Sequence, residues 1–325
     1  MGKINSTKVL MTNTMMIGVI MVICSNNWVT MWMGLEISMV SFIPFMQSSN
    51  LSGSESMIKY FITQCVASTM FLVSVVIMLI GVNMMNEMML TTAMLISIGS
   101  APFHNWVLMI IETMEIYPML TMLTVLKMPP LTIMYHNDSK IMSVPIFLSF
   151  VASAILCLNQ SSMRKTIGYS SIFNVGLMLS TMKSFNTLMM FMVIYASTMI
   201  SLIVSVKMMR INYINQMAIN EFNPWIKMNL WINMLSMAGF PPLLGFMGKM
   251  IILQSMLVNN QIMLSITMMT TSLMVMMFYT RLTFSSMLMN SSSKKWMINS
   301  NKMVMFMMTF NLTSTFLMTT ASSIY

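Results

Sequence analysis

A succession of long apolar runs, almost free of charge, limits most strongly how this chain can fold. They lie at 9–24, 28–46, 57–82, 88–111, 117–136, 141–158, 166–182, 186–208, 229–257, 261–284 and 303–322. A bilayer-spanning helix needs about 20 predominantly apolar residues, and these runs reach or approach that length. They are continuous rather than alternating in and out over about ten residues, which favours helices over a membrane β-barrel. Of 325 residues, 57% are hydrophobic and 7% charged, so little chain is left for a soluble domain. The expectation is an all-α polytopic membrane protein with about eleven transmembrane helices, residues 1–325 forming one membrane domain.

Lys and Arg collect on one side of a membrane protein and therefore test this segmentation. With the N-terminus on side A, Lys3, Lys8, Arg164, Lys165, Lys207, Arg210, Lys227, Arg281, Lys294, Lys295 and Lys302 fall at side-A segments. Only Lys140 and Lys183 fall on side B. The N-terminus is thus expected to face the cytoplasm or matrix, and an odd number of spans puts the C-terminus opposite. The net charge of +9 is mostly this orientation signal, and no nucleic-acid partner is needed to explain it.

The 54 methionines are spread over every span. That distribution fits a genetic code in which an isoleucine codon is read as methionine better than a dedicated Met-rich surface, because Met fills apolar space adaptably. Cys24, Cys65 and Cys157 lie in or beside apolar runs at no metal-ligand spacing and read as free core thiols. No phosphate-binding glycine loop or cysteine cluster occurs, and the two histidines, His104 and His136, stand on different segments. The chain is expected to bind no haem, flavin, iron–sulfur cluster, nucleotide or metal.

Function then rests on ionisable residues inside the spans. Glu36, in "WMGLEISMV", lies near mid-span, where an ionised carboxylate costs roughly 2.5–3.5 kcal/mol. Lys127, in "LTVLKMPPLT", lies about ten residues into its span, and the proline pair behind it frees helix carbonyls. The plainer readings are a neutral carboxyl in a helix interface and a lysine reaching out along a kink. Lys59 lies near the start of its span, where snorkelling is easy. His104 follows "GSAPF" and reads either as a satisfied core group or as a proton relay. Arg164 and Lys165, in "NQSSMRKTIGYSS", read as interfacial anchors.

Two spans are interrupted by helix breakers, at Gly99 to His104 and at Gly239 to Gly248, and the second carries Lys249. The first is entered from side B and the second from side A. Gly/Pro-broken segments in corresponding positions of two halves mark an inverted-repeat transporter, whose breaks expose carbonyls near the midplane. The halves run roughly over 9–136 and 141–284, with 303–322 as a final helix.

The motifs "WMGLEIS" (32–38), "IKYFITQ" (58–64), "APFHNW" (101–106), "LNQSSMRKTIGYSSI" (158–172) and "GFPPLLGFMGK" (239–249) resemble, in order and spacing, a known family. It is subunit 2 of mitochondrial NADH:ubiquinone oxidoreductase, respiratory complex I, in its invertebrate, arthropod type. The resemblance covers about the whole chain. It implies an antiporter-like membrane-arm subunit that lacks the first three helices of the full fold. Such a subunit couples NADH-to-ubiquinone electron transfer to proton pumping across the mitochondrial inner membrane, N-terminus in the matrix and C-terminus in the intermembrane space. FMN, iron–sulfur clusters and ubiquinone are implied in other subunits. The implied partners are neighbouring antiporter-like and small membrane subunits, together with lipid.

The family's mid-membrane line of charges falls here on Glu36, Lys127 and Lys249, with the span of Lys127 expected to be free of a break. Two positions depart. The lysine expected before "xGxAPFH" is Ser97, and the histidine expected in "SSIxHxG" is Asn174. Neither side chain titrates near neutral pH, so each is expected to support a water path or to mark a different one. Two other classes fit the same residues: a free-standing cation/proton antiporter, and a structural subunit whose charges hold neighbours together.

Overall fold

The computed structural model describes residues 6–48, 51–81, 84–137, 140–219 and 224–288, together with Phe306, Thr309 and Asn311. Among the described residues the regular elements are helical, and the β pairing consists of the isolated bridge between Ser162 and Tyr213. The chain divides into two compact units, Met1–Ser149 and Phe150–Tyr325.

The first unit holds α1 (Ser6–Cys24), α2 (Trp28–Phe45), α3 (Leu51–Ile80), α4 (Met84–Ile98), α5 (Asn105–Thr113), α6 (Ile116–Leu123) and α7 (Met128–His136). α1 and α2 pack closely because Gly18 and Gly34 face each other. A Cβ on Gly18 would lie 2.9 Å from the Gly34 carbonyl oxygen, and one on Gly34 would lie 2.9 Å from that of Gly18. Small residues at such crossings let backbones approach where lipid removes any hydrophobic drive for helices to associate. α2 packs on α3, α3 on α4 and α5, and α7 on α1, α2 and α4, which draws α7 into the middle of the unit.

α8 (Ser143–Cys157) joins the units in sequence. The second unit continues with α9 (Met163–Ser180), α10 (Phe185–Met209), α11 (Ile214–Ile219), α12 (Pro224–Ala238), α13 (Leu244–Val258) and α14 (Ile262–Leu288). Its centre is α9, in which every residue but Arg164 and Lys165 is buried. Those two cations, at the first turn, are the end that the sequence assigns to an interface. α10 and α13 pack on α9, and α12 packs on α10, α13 and α14.

Six of these helical stretches are long and apolar enough to cross a bilayer: α1, α2, α3, α10, residues 116–136, and Ile262–Phe284 within α14. The predicted spans at 88–111 and 229–257 are the broken pairs α4–α5 and α12–α13, and those at 141–158 and 166–182 are α8 and α9. The eleventh predicted span, 303–322, lies outside the described residues except for Phe306, Thr309 and Asn311.

One expectation needs correction. The span of Lys127 is not free of a break: α6 ends at Leu123, a 3-10 turn covers Val125–Lys127, and α7 starts at Met128. Pro129 and Pro130 sit in the first turn of α7, where a missing N–H costs least. They cannot donate to the carbonyls of Val125 and Leu126 four residues back. The 3-10 turn restores one of these bonds, the Met128 N–H donating to the Val125 carbonyl.

Candidate functional site

In the first unit, two breaks in regular hydrogen bonding, after α4 and at the 3-10 turn before α7, flank one cavity. α4 stops at Gly99, whose φ of +72° suits a residue without a side chain. The break turns the last carbonyls of α4 toward side chains: Trp106 Nε1 donates to the Ile96 carbonyl at 3.0 Å, and Gln64 Nε2 donates to the Ser97 carbonyl at 3.1 Å. Tyr60, one turn before Gln64 on α3, is buried against Phe42 and Trp106, with ring centroids 5.0 and 6.2 Å apart.

Tyr60, Gln64 and Trp106 line a cavity of about 40 Å³ together with Glu36 from α2, Ser97 from α4 and Lys127 from the 3-10 turn. At about 10–15 Å³ of such space per molecule, it has room for about three waters. Lys127 is 4% exposed and Glu36 is half-buried, so one acid and one base line the same small chamber among mostly apolar side chains. Ser97 contributes a hydroxyl that donates to the Met94 carbonyl at 2.8 Å, leaving its oxygen lone pairs to accept from water.

The second unit repeats the device on another break. Pro241 and Pro242 have no N–H for the carbonyls of Met237 and Ala238, so α12 ends at Ala238. The Lys249 ammonium, one turn into α13, fills the vacated position by donating to the Ala238 carbonyl at 2.6 Å. Its Nζ also stands 5.3 Å from the ring centroid of Phe173, within cation–π range. Gly239 makes room for it: φ is +78°, and a Cβ there would fall 2.8–2.9 Å from the Lys249 Cδ, Cε and Nζ. Lys249 lines a cavity of about 10 Å³, the size of one water, with Asn174, Tyr195, Thr198 and Ser236.

Of the residues singled out in the sequence, Glu36, Ser97 and Lys127 thus meet at one cavity and Asn174 and Lys249 at the other. Lys59 and His104 are not brought to either. Lys59 is half-exposed on α3 and pairs with Glu55 one turn earlier at 3.8 Å. His104 is half-buried at the N-cap of α5, where its carbonyl accepts the Val107 N–H at 3.2 Å. Sequence reasoning passed over Gln64, Tyr60 and Trp106 in the first cavity and Tyr195, Thr198 and Ser236 in the second. The available signal was a polar side chain inside an apolar run, clearest for Gln64. Among the described residues, no three His, Cys, Asp or Glu side chains gather as metal ligands.

Comparison with known proteins gives this geometry a family. The family described as "NADH:quinone oxidoreductase/Mrp antiporter, TM" matches residues 25–276, which include all three breaks and both cavities. The chain is similar to NADH-ubiquinone oxidoreductase chain 2 of Locusta migratoria, 33% identical over 324 residues, 96% of this chain and 95% of that one. It is also similar to chain 2 of Anopheles gambiae, 32% identical over 296 residues, 87% of each chain. In fold it resembles a chain of respiratory complex I from Thermus thermophilus, with a TM-score of 0.81 at 17% identity over 96% of this chain and 76% of that one. With over 30% identity along nearly its full length and the membrane family matched across all three broken spans, this chain belongs to the NADH-ubiquinone oxidoreductase chain 2 family.

Proposed function

We infer that the chain is a proton-translocating, antiporter-like membrane-arm subunit of complex I, and that its proton path runs through Glu36, Lys127 and Lys249. The observation that carries this reading is the placement of Lys127 and Lys249, both buried, each at a helix break beside a cavity with room for water. A lysine ammonium exchanges its proton with an adjacent water, and its affinity responds to nearby charge because a low local dielectric strengthens that coupling. Across the first cavity the charge is the Glu36 carboxylate. Ser97 and Asn174 support the path by hydrogen-bonding water rather than by titrating.

In this reading the multi-pass chain lies in the mitochondrial inner membrane with its lysine- and arginine-rich side in the matrix, which the excess of Lys and Arg on one side of the spans supports. Its redox chemistry belongs to other subunits of the complex. The outward apolar face of α3, carrying Ile58, Phe61, Ile62 and Val66, is a surface for lipid or for neighbouring membrane-arm subunits.

Lys127→Met in the assembled complex tests the reading. Methionine keeps the apolar stem and removes the exchangeable proton, and NADH-driven proton translocation is expected to fall by about tenfold or more. Normal assembly with unchanged translocation would identify Lys127 as structural. A free-standing antiporter would instead acidify liposomes holding this chain alone in a sodium-dependent manner, and no such activity is expected.

A further inference from the structure

In the second unit a stripe of buried polar side chains runs between α10 and α12 and ends at Lys249. On α10 it consists of Ser205, Ser201 and Thr198, and on α12 of Asn229, Asn233 and Ser236, each at most 4% exposed. Steps of four and three residues keep each set on one helix face. The register follows from two contacts: Asn233 Nδ2 donates to the Ser201 carbonyl at 3.0 Å, and Thr198 and Ser236 line the Lys249 cavity together. One turn the other way along the same antiparallel register pairs Ser205 with Asn229. Three polar tiers therefore lead from the end of α10 that carries Lys207 and Arg210 to the lysine.

Helix adhesion accounts for the middle tier alone. Asn233 bonds Ser201 through its Nδ2 and accepts from the Asn311 side chain through its Oδ1, so its amide is occupied at both ends. The four hydroxyls donate to carbonyls of their own helices, Thr198 to Tyr195, Ser201 to Thr198, Ser205 to Leu202 and Ser236 to Asn233, at 2.7–2.9 Å. Their oxygen lone pairs stay free to accept from water. Asn229 is 1% exposed and its Oδ1 has no hydrogen-bond partner among the described residues. A dry site would leave that buried oxygen unpaired at the cost of its desolvation, whereas a water in the seam satisfies it.

We propose that the α10/α12 seam is the proton-uptake route to Lys249 from the side of Lys207 and Arg210, with Asn229, Ser205 and Ser236 positioning its waters. The proposal rests on the reading of Lys249 as a proton-carrying group. A neutral Lys249 amine takes a proton from the adjacent water and forms one N–H bond. That water is reprotonated by the next, so one proton enters at the Asn229 tier for each one bound at Nζ. The amides and hydroxyls keep their own protons throughout.

The test uses the assembled complex with Asn229→Leu, Ser205→Val, Asn229→Ser and Lys249→Ala, reading coupled NADH oxidation and its solvent deuterium isotope effect. Asn229→Leu and Ser205→Val are expected to slow coupled turnover by about tenfold and to raise the isotope effect. Asn229→Ser, which keeps a hydrogen-bonding group and leaves room for water, is expected to restore both. If Lys249→Ala is impaired while the two apolar variants turn over normally with an unchanged isotope effect, the route is wrong and the lysine reading stands. An unaffected Lys249→Ala overturns the lysine reading itself. Should Asn229→Leu not assemble, Ser205→Val decides, and failure of both to assemble makes the seam a packing element and overturns the proposal.

Discussion

Lys249→Ala in the assembled complex is expected to lower NADH-driven proton translocation by about a hundredfold, within the range that positioned proton-transfer groups contribute. The substitution removes the proton carrier and also strips the Ala238 carbonyl of its donor, since Pro242 has none to offer. That second loss costs roughly 1–3 kcal/mol for a buried carbonyl left unpaired, so assembly must be measured alongside activity. Lys249→Arg separates the two effects. A guanidinium keeps a charged donor near the carbonyl but does not release its proton in a protein. The arginine variant is therefore expected to assemble better than the alanine variant and to translocate as poorly. If arginine supported normal translocation, Lys249 would be a fixed charge and not a carrier.

Gly245→Ala is expected to be the most damaging small substitution for the fold of the second unit. A Cβ at this position would stand 1.7 Å from the Ser236 carbonyl oxygen and 2.9 Å from its carbon. These are backbone atoms of α12 and cannot rotate aside as a side chain would. The two halves of the broken span must separate, pulling Gly239 and Ala238 away from Lys249. Overpacking of this kind costs about 1–3 kcal/mol in a core that can adjust, and more where backbone meets backbone. On native gels the Gly245→Ala complex should be depleted severalfold, with the loss exceeding that of Lys249→Ala. Wild-type assembly would show that the break tolerates a wider gap than its geometry implies.

Much of this architecture is legible in the sequence because a bilayer leaves few choices. Apolar runs of span length must be helices, and Gly99, Pro102, Gly239 and the Pro241–Pro242 pair announce where two of them stop. The third break was hidden. Pro129 and Pro130 suit the first turn of a new helix as well as a kink in a continuing one, and only the 3-10 turn at Val125–Lys127 tells the two apart. Lys127 and Lys249 were visible as charges in apolar runs. Their companions were not, because Thr198, Ser236 and Asn229 look like ordinary polar substitutions until α10 and α12 are laid in register. Lys59 shows the opposite failure: it lies in a span by sequence, yet one helical turn gives it Glu55 and an exposed position.

Ser97 and Asn174 show how a departure from family pattern reads once it is placed. Both line the cavities of the buried lysines rather than lying apart from them. The first cavity has room for about three waters beside Ser97, and in the proposed path hydrogen-bonded solvent is expected to supply continuity where the family pattern leads one to expect a lysine.

The most direct measurement is proton translocation and NADH oxidation followed together in sealed membranes whose complex carries Lys127→Met and Lys249→Met in this chain. With both exchangeable ammonium groups gone and both apolar stems kept, translocation is expected to fall by at least about tenfold. Wild-type rates of both processes, at an unchanged number of protons per electron pair, would contradict the account.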